Sequence, residues 1–217
     1  MNKIMSMGVV VCCAMALNAG SQWQQGLVKI PGKGRVAFVN AADADGAALE
    51  LAARKVGNQL MIETAVQKGS WSIASAQDDY VKAQATVAVF VVRDASLPTS
   101  LIALERKWGV VNVEGLPEKA LTKEAVRVAA FLLGCGYSKY PASVLRPVFT
   151  QGAIADGTGE IITIDALMAI QPSLATLGIA PYRVINYEDA LEQGIAPPPA
   201  NDMQRKIKEE FEKNRNK

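Results

Sequence analysis

The chain contains no histidine, and that absence narrows its chemistry more than any motif does. Histidine is the side chain that titrates nearest neutrality and the commonest zinc ligand. Without it there is no Ser-His-Asp or Cys-His nucleophile and no imidazole metal site. Carboxylates, Lys, Tyr, Ser and one cysteine outside the N-terminal segment, Cys135, remain. Cys135 follows the C-terminal end of a predicted helix, where the dipole raises a thiol pKa, so a packed structural thiol is expected. Asp43, Asp45, Glu105, Glu124 and Asp165 are of the type that pairs as acid and base in glycoside hydrolysis. Nothing in their spacing brings two of them together, and helix caps and solvated faces account for them better. Gly32-Lys33-Gly34 lacks the spacing and strand-to-helix context of a phosphate loop. Trp71 and Trp108 read as core anchors.

The elements that must position these groups follow from hydrophobic period. Half of the 217 residues are apolar, enough for one domain with a real core. Arg35–Asn40 is a continuous apolar run, as expected of a strand buried on both faces. Residues 42–60 carry Leu49, Ala52, Ala53, Val56 and Leu60 on one helical face, with Asp43 or Asp45 as cap. A strand over 61–66, a helix over 73–84 and a fully apolar, central strand over 86–92 follow. That order predicts right-handed crossovers and a parallel sheet. Residues 100–105 and 108–113 are separated only by Arg106-Lys107, too short for a crossover, so they predict an antiparallel pair at the sheet edge. A long helix over 118–133 ends at Gly134, the expected C-cap glycine. Residues 137–163 read as irregular, and 164–177 as a helix interrupted by Pro172.

The N-terminus reads as an export signal over residues 1–20, with Lys3 ahead of an apolar run, Ile4 to Leu17, and small residues around Ala19. Its removal would take Cys12 and Cys13 with it and leave Cys135 without an intramolecular partner. A loop over 21–33, a single domain over 34–195 and a Pro-rich spacer with a terminal helix over 196–217 complete the expected organisation. That last helix carries a narrow stripe of Met203, Ile207 and Phe211. A net charge of +2, from 23 basic and 21 acidic residues, gives no electrostatic reason to expect nucleic acid.

The stretch Arg127 to Tyr137, Arg-Val-Ala-Ala-Phe-Leu-Leu-Gly-Cys-Gly-Tyr, resembles the metzincin zinc motif H-E-x-x-H-x-x-G-x-x-H when Gly134 is set on its glycine. Arg127, Phe131 and Tyr137 then stand at the three histidine positions and Val128 at the catalytic glutamate. Ser143-Val-Leu-Arg-Pro147 resembles the methionine turn, with Leu145 at the methionine. With the predicted topology, the chain is similar to the archaemetzincin-like branch of the zincins over residues 34–180. The resemblance implies a zincin-like α/β domain: a mixed, mostly parallel twisted sheet, an antiparallel edge strand, a long former active-site helix and a C-terminal helical tail. It also implies a cleft floored by Arg127, Phe131 and Tyr137. A guanidinium, a phenyl ring and a phenol do not ligate zinc at neutral pH, and valine is no general base.

The expectation is therefore a protein without catalytic residues, metal or cofactor: a non-enzyme that binds peptide or protein in a metal-free cleft. Arg127 and Tyr137 would be free there to hydrogen bond a ligand carboxylate. A structural, envelope-associated module without a ligand, or a metal-free carboxylate enzyme, are the alternatives. The expected location is periplasmic or extracellular, with no membrane span once the signal is gone.

Overall fold

The computed structural model describes residues 27–30, 32–148, 154 and 159–215. The export signal expected over residues 1–20 lies outside them. Along the chain the elements are β1 (Leu27–Ile30), β2 (Arg35–Asn40), α1 (Gly46–Leu60), β3 (Glu63–Lys68), α2 (Ala76–Lys82) and β4 (Val87–Val92). Then come β5 (Ser100–Ala103), β6 (Trp108–Asn112), α3 (Leu121–Leu132), α4 (Ile164–Thr176), β7 (Arg183–Asn186), α5 (Tyr187–Glu192) and α6 (Asp202–Arg215). They fall into two compact units, divided at Ile30/Pro31 and at Tyr182/Arg183.

The larger unit is built on a five-stranded sheet in the order β3-β2-β4-β6-β5. β2, β3, β4 and β6 run parallel, and β5 pairs antiparallel with β6 at the edge, Ser100 opposite Val111 and Ile102 opposite Gly109. β4 lies in the middle with all six residues buried, which is why its sequence is apolar without alternation. One face packs Val36, Phe38, Val89 and Val111 with α1 and α3 residues such as Leu49, Val56 and Val128. The other packs Ala37, Phe90, Trp108 and Val110 with Trp71, Tyr80 and Leu101.

Local chemistry sets the helix ends. The Asp45 carboxylate accepts from the Ala47 amide and caps α1. At the far end of α3 the Gly134 amide donates to the Phe131 carbonyl at 2.9 Å and the Cys135 amide to Ala130 at 3.0 Å. That pair of bonds is a Schellman motif, and it needs the left-handed φ of +97° that Gly134 supplies. α4 does not break at Pro172 but continues through it to Thr176.

The smaller unit pairs β1 with β7 antiparallel, Leu27 opposite Asn186, and adds α5 and α6. β1 lies within the stretch expected to be loop. Asn186 caps α5 by accepting from the Asp189 amide at 2.7 Å. Met203 on α6 is 62% exposed; the side chains of Ile207 and Phe211 are outside the described set. No described helix is long and apolar enough to cross a membrane.

Candidate functional site

The site is assembled from α3, the Gly134 turn, the segment 137–146 and the edge strand β5. α3 packs against α1 and against β4, β5 and β6. Its approach to β6 is close: a Cβ added to Gly109 would lie 2.7 Å from Val128 Cγ1 and 3.2 Å from Leu132 Cδ1. Val128 therefore faces the sheet and is 1% exposed.

Arg127, Phe131 and Tyr137 form one contiguous row. The Arg127 guanidinium sits 5.6 Å from the Phe131 ring centroid, and Phe131 meets Tyr137 edge-on at 5.1 Å. Their exposure is graded. Arg127 is buried, Phe131 partly buried and Tyr137 70% exposed. Arg127 Nη1 donates to two carbonyls of the following turn, Val144 at 3.0 Å and Arg146 at 2.7 Å. Its Nε lies 3.0 Å from Glu124 Oε2, both side chains under a tenth exposed. Those two atoms are in ion-pair contact without hydrogen-bond alignment, and neither has a hydrogen-bond partner among the described residues. Burial pushes the Glu124 carboxyl above its ordinary value; the Arg127 charge and a hydrogen bond with the Ser100 hydroxyl pull it back only in part.

This differs from the role expected of Arg127: the side chain is 5% exposed, and its Nη1 is taken up by the Val144 and Arg146 carbonyls inside the protein. Glu124, expected on a solvated face, is 2% exposed. The turn around Leu145 is equally closed. Leu145 is fully buried, its amide donates to Ser143 Oγ at 3.1 Å, and its carbonyl accepts from the Ser138 amide at 3.1 Å.

The other candidates are dispersed. Asp43 pairs with Lys68 at 3.6 Å on the surface, Asp45 caps α1, and Glu105 lies in a short 3-10 turn, Leu104–Arg106. Asp165, held low chiefly by the Thr163 hydroxyl, lies 3.4 Å from Ser138 Oγ. Cys135 is buried, and desolvation together with the Asp165 charge pushes its thiol up to about 12. Trp71 and Trp108 stack edge-on at 6.1 Å in the layer across the sheet. Among the described residues no group of three or more Cys, Asp or Glu side chains is arranged to hold a metal ion. Sequence reasoning named Glu124 only as a candidate carboxylate on a solvated face; the one readable signal of its pairing was the i, i+3 spacing of Glu124 and Arg127.

No family profile matches the sequence, and no curated protein matches it. Solved structures do. An archaemetzincin from Methanopyrus kandleri is 10% identical, covering 65% of this chain and 95% of its own, with a TM-score of 0.53. A zinc-dependent peptidase from Methanocorpusculum labreanum is 8% identical over 63% of this chain and 100% of its own, at 0.48. An archaemetzincin from Archaeoglobus fulgidus, solved with malonate, is 13% identical over 62% and 99%, at 0.46. The fold is mixed α/β and archaemetzincin-like. The expectation that the chain is not an enzyme is withdrawn: the archaemetzincin-like fold gives it no support.

Proposed function

We propose that the chain takes an extended peptide segment along the edge of β5, the strand against which α3 packs. The observation that carries this reading is the pairing of β5. The Asn112 amide donates to the Thr99 carbonyl at 2.8 Å, and antiparallel pairing alternates from there. Leu101 and Ala103 therefore bond to β6, while the backbone N–H and C=O of Ser100 and Ile102 turn to the edge that pairs with no strand among the described residues. Such an edge is a template for an added strand. Ile102 is 37% and Leu104 58% exposed, which supplies apolar surface at the same edge. The zinc-dependent peptidase among the structural neighbours suggests peptide as the ligand class. Export to the periplasm or beyond belongs to this proposal and is supported by the apolar run from Ile4 to Leu17.

The test is retention and cleavage of an immobilised random heptapeptide library by the purified chain, with Ile102→Pro as the comparison. Proline removes the outward Ile102 N–H and leaves the β6 ladder its donors. Expected is a loss of about tenfold in retention, the worth of one or two hydrogen bonds, at an unchanged melting temperature. Equal retention by the variant would remove edge-strand docking from consideration. Mass spectrometry of the same peptides reads cleavage.

A second reading, a structural module without a ligand, draws on one observation: Arg127 already bonds the turn that would flank a ligand. A wild-type chain that retains no peptide would favour it.

A further inference from the structure

A second arrangement of charged groups lies toward β3, the sheet edge opposite β5, at the amino-terminal ends of the parallel strands. Arg35 on β2 is the register partner of Glu63 on β3. The Thr86 amide, one residue ahead of β4, donates to the Arg35 carbonyl at 3.0 Å. Alternation along the strands puts Arg35 and Thr86 on the face of Ala37 and Ala88, which α2 covers through Ala76 and Tyr80. Arg35, Glu63 and Thr86 line a cavity of about 440 Å³ there, closed on the helix side by Tyr80, Val81 and Gln84.

The end of α2 holds Arg35 in place. Its Nε donates to the Gln84 carbonyl at 2.8 Å and its Nη2 to the Ala83 carbonyl at 3.3 Å, where the last carbonyls of a helix favour a cation. One edge of the guanidinium is thereby used, while Nη1 makes no hydrogen bond among the described residues. The Glu63 carboxylate, the Gln84 side-chain amide and the Thr86 hydroxyl likewise have no hydrogen-bond or ion-pair partner among them. Arg35 and Glu63 stand on neighbouring strands about 4.8 Å apart. They form no ion pair with each other, because the helix end takes the guanidinium. A cation fixed from one side and an unpaired carboxylate therefore meet at one cavity.

The geometry points to a binding site for a free α-amino acid with an apolar side chain. Its carboxylate takes the open donors of Arg35, a charge-assisted contact that a guanidinium edge makes in two parallel bonds. Its ammonium group takes Glu63. Its side chain lies against Tyr80 and Val81; Val81 is 62% exposed, and the Tyr80 ring is pinned by its hydroxyl, which donates to the Thr86 carbonyl at 2.8 Å. The cavity has the size of small-molecule sites. The site stands apart from β5 and does not depend on the peptide reading.

The test titrates the full chain with L-leucine, N-acetyl-L-leucine and L-leucinamide and follows the amide NMR signals of Glu63, Ala85 and Thr86. Leucine is expected to give saturable shifts in the millimolar range. N-acetylleucine, which lacks the ammonium group, and leucinamide, which lacks the carboxylate, should each bind about tenfold more weakly. Glu63 is exposed, so Glu63→Gln should keep the melting temperature while bringing leucine down to the affinity of N-acetylleucine. In the same variant N-acetylleucine should bind as it does to wild type. No saturable shift with leucine overturns the inference, and so does equal binding of the three compounds. A Glu63→Gln variant that binds leucine like wild type, or that weakens leucine and N-acetylleucine alike, overturns it as well.

Discussion

The Glu124 carboxylate and the Arg127 guanidinium meet at 3.0 Å one turn apart on α3, with side chains 3% and 7% exposed. Removing one member of such a pair costs more than the pair itself contributes, because the survivor stays charged and buried. Arg127→Leu is expected to destabilise by about 3–5 kcal/mol. It leaves Glu124 uncompensated and takes the donor from the Val144 and Arg146 carbonyls. Glu124→Gln should cost less, about 1–3 kcal/mol, because the amide keeps a polar group beside Arg127 and Arg127 keeps both carbonyls. Urea midpoints at matched slopes read the difference. The opposite ranking would mean that Arg127 is not what makes a charge at position 124 tolerable.

Glu124 also gives the stability curve a sign. Its carboxyl is raised above 4.5, with burial the largest cause. Between 4.5 and the raised value the native state keeps a proton that the unfolded chain has lost. Stability contributed at Glu124 therefore declines as pH rises through that window. Asp94, lowered by the Ser96 hydroxyl, and Glu160, lowered by Lys55, act the other way: their contribution is present above the ordinary carboxylate range and lost as pH falls. Asp94 is half-exposed and Glu160 exposed, so both contribute little, and they cancel in a difference between wild type and Glu124→Gln. That difference should slope against the wild type from about pH 4.5 upward. A flat difference across pH 4 to 8 would show the carboxyl titrating at its ordinary value.

The sheet was legible because burial on both faces writes itself as unbroken apolar sequence, as in Val87–Val92. The two-residue gap at Arg106-Lys107 was enough to place the antiparallel edge. β1 and β7 were not legible: each has four residues, and they pair across more than 150 positions, a distance no local period reports. At the site, Gly134 could be read as a helix end from its type alone, and its φ agrees. Glu124 and Arg127 were misjudged because charged residues are seldom fully buried. What inverted that rule here is the contact of the two side chains with each other, together with two carbonyls of a turn 17 and 19 residues further along the chain.

Cys135 should be silent in the folded chain. Its Sγ lies 3.8 Å from the Ala166 carbonyl, and the thiol is pushed up to about 12. Thiolate is the reactive form, and a thiol titrating that high is almost entirely protonated at pH 8. In a Cys12→Ser, Cys13→Ser background, an aromatic disulfide reagent is expected to release no chromophore from native protein within an hour. One equivalent should appear in denaturant. Prompt release from the native state would show that the segment around Ala166 opens readily.

Gly134 carries two constraints at once, and its replacement separates them. Its φ of +97° lies where an L side chain is strained, at a cost of roughly 1–2 kcal/mol. An added Cβ would also fall 2.3 Å from Ser173 Oγ and 2.7 Å from Ser173 Cβ on α4, adding overpacking of about 1–3 kcal/mol. Gly134→Ala should therefore lower stability by more than the backbone cost alone. In a Ser173→Gly background, whose own helical cost is about 1 kcal/mol, the steric part disappears and only the dihedral part remains. The double-mutant cycle, read from urea unfolding, is expected to show a coupling of about 1–3 kcal/mol. Additive effects would mean that α4 yields freely to the new methyl group. The close packing of the Gly134 turn against Ser173 would then contribute nothing to the turn that carries the chain from α3 to Tyr137.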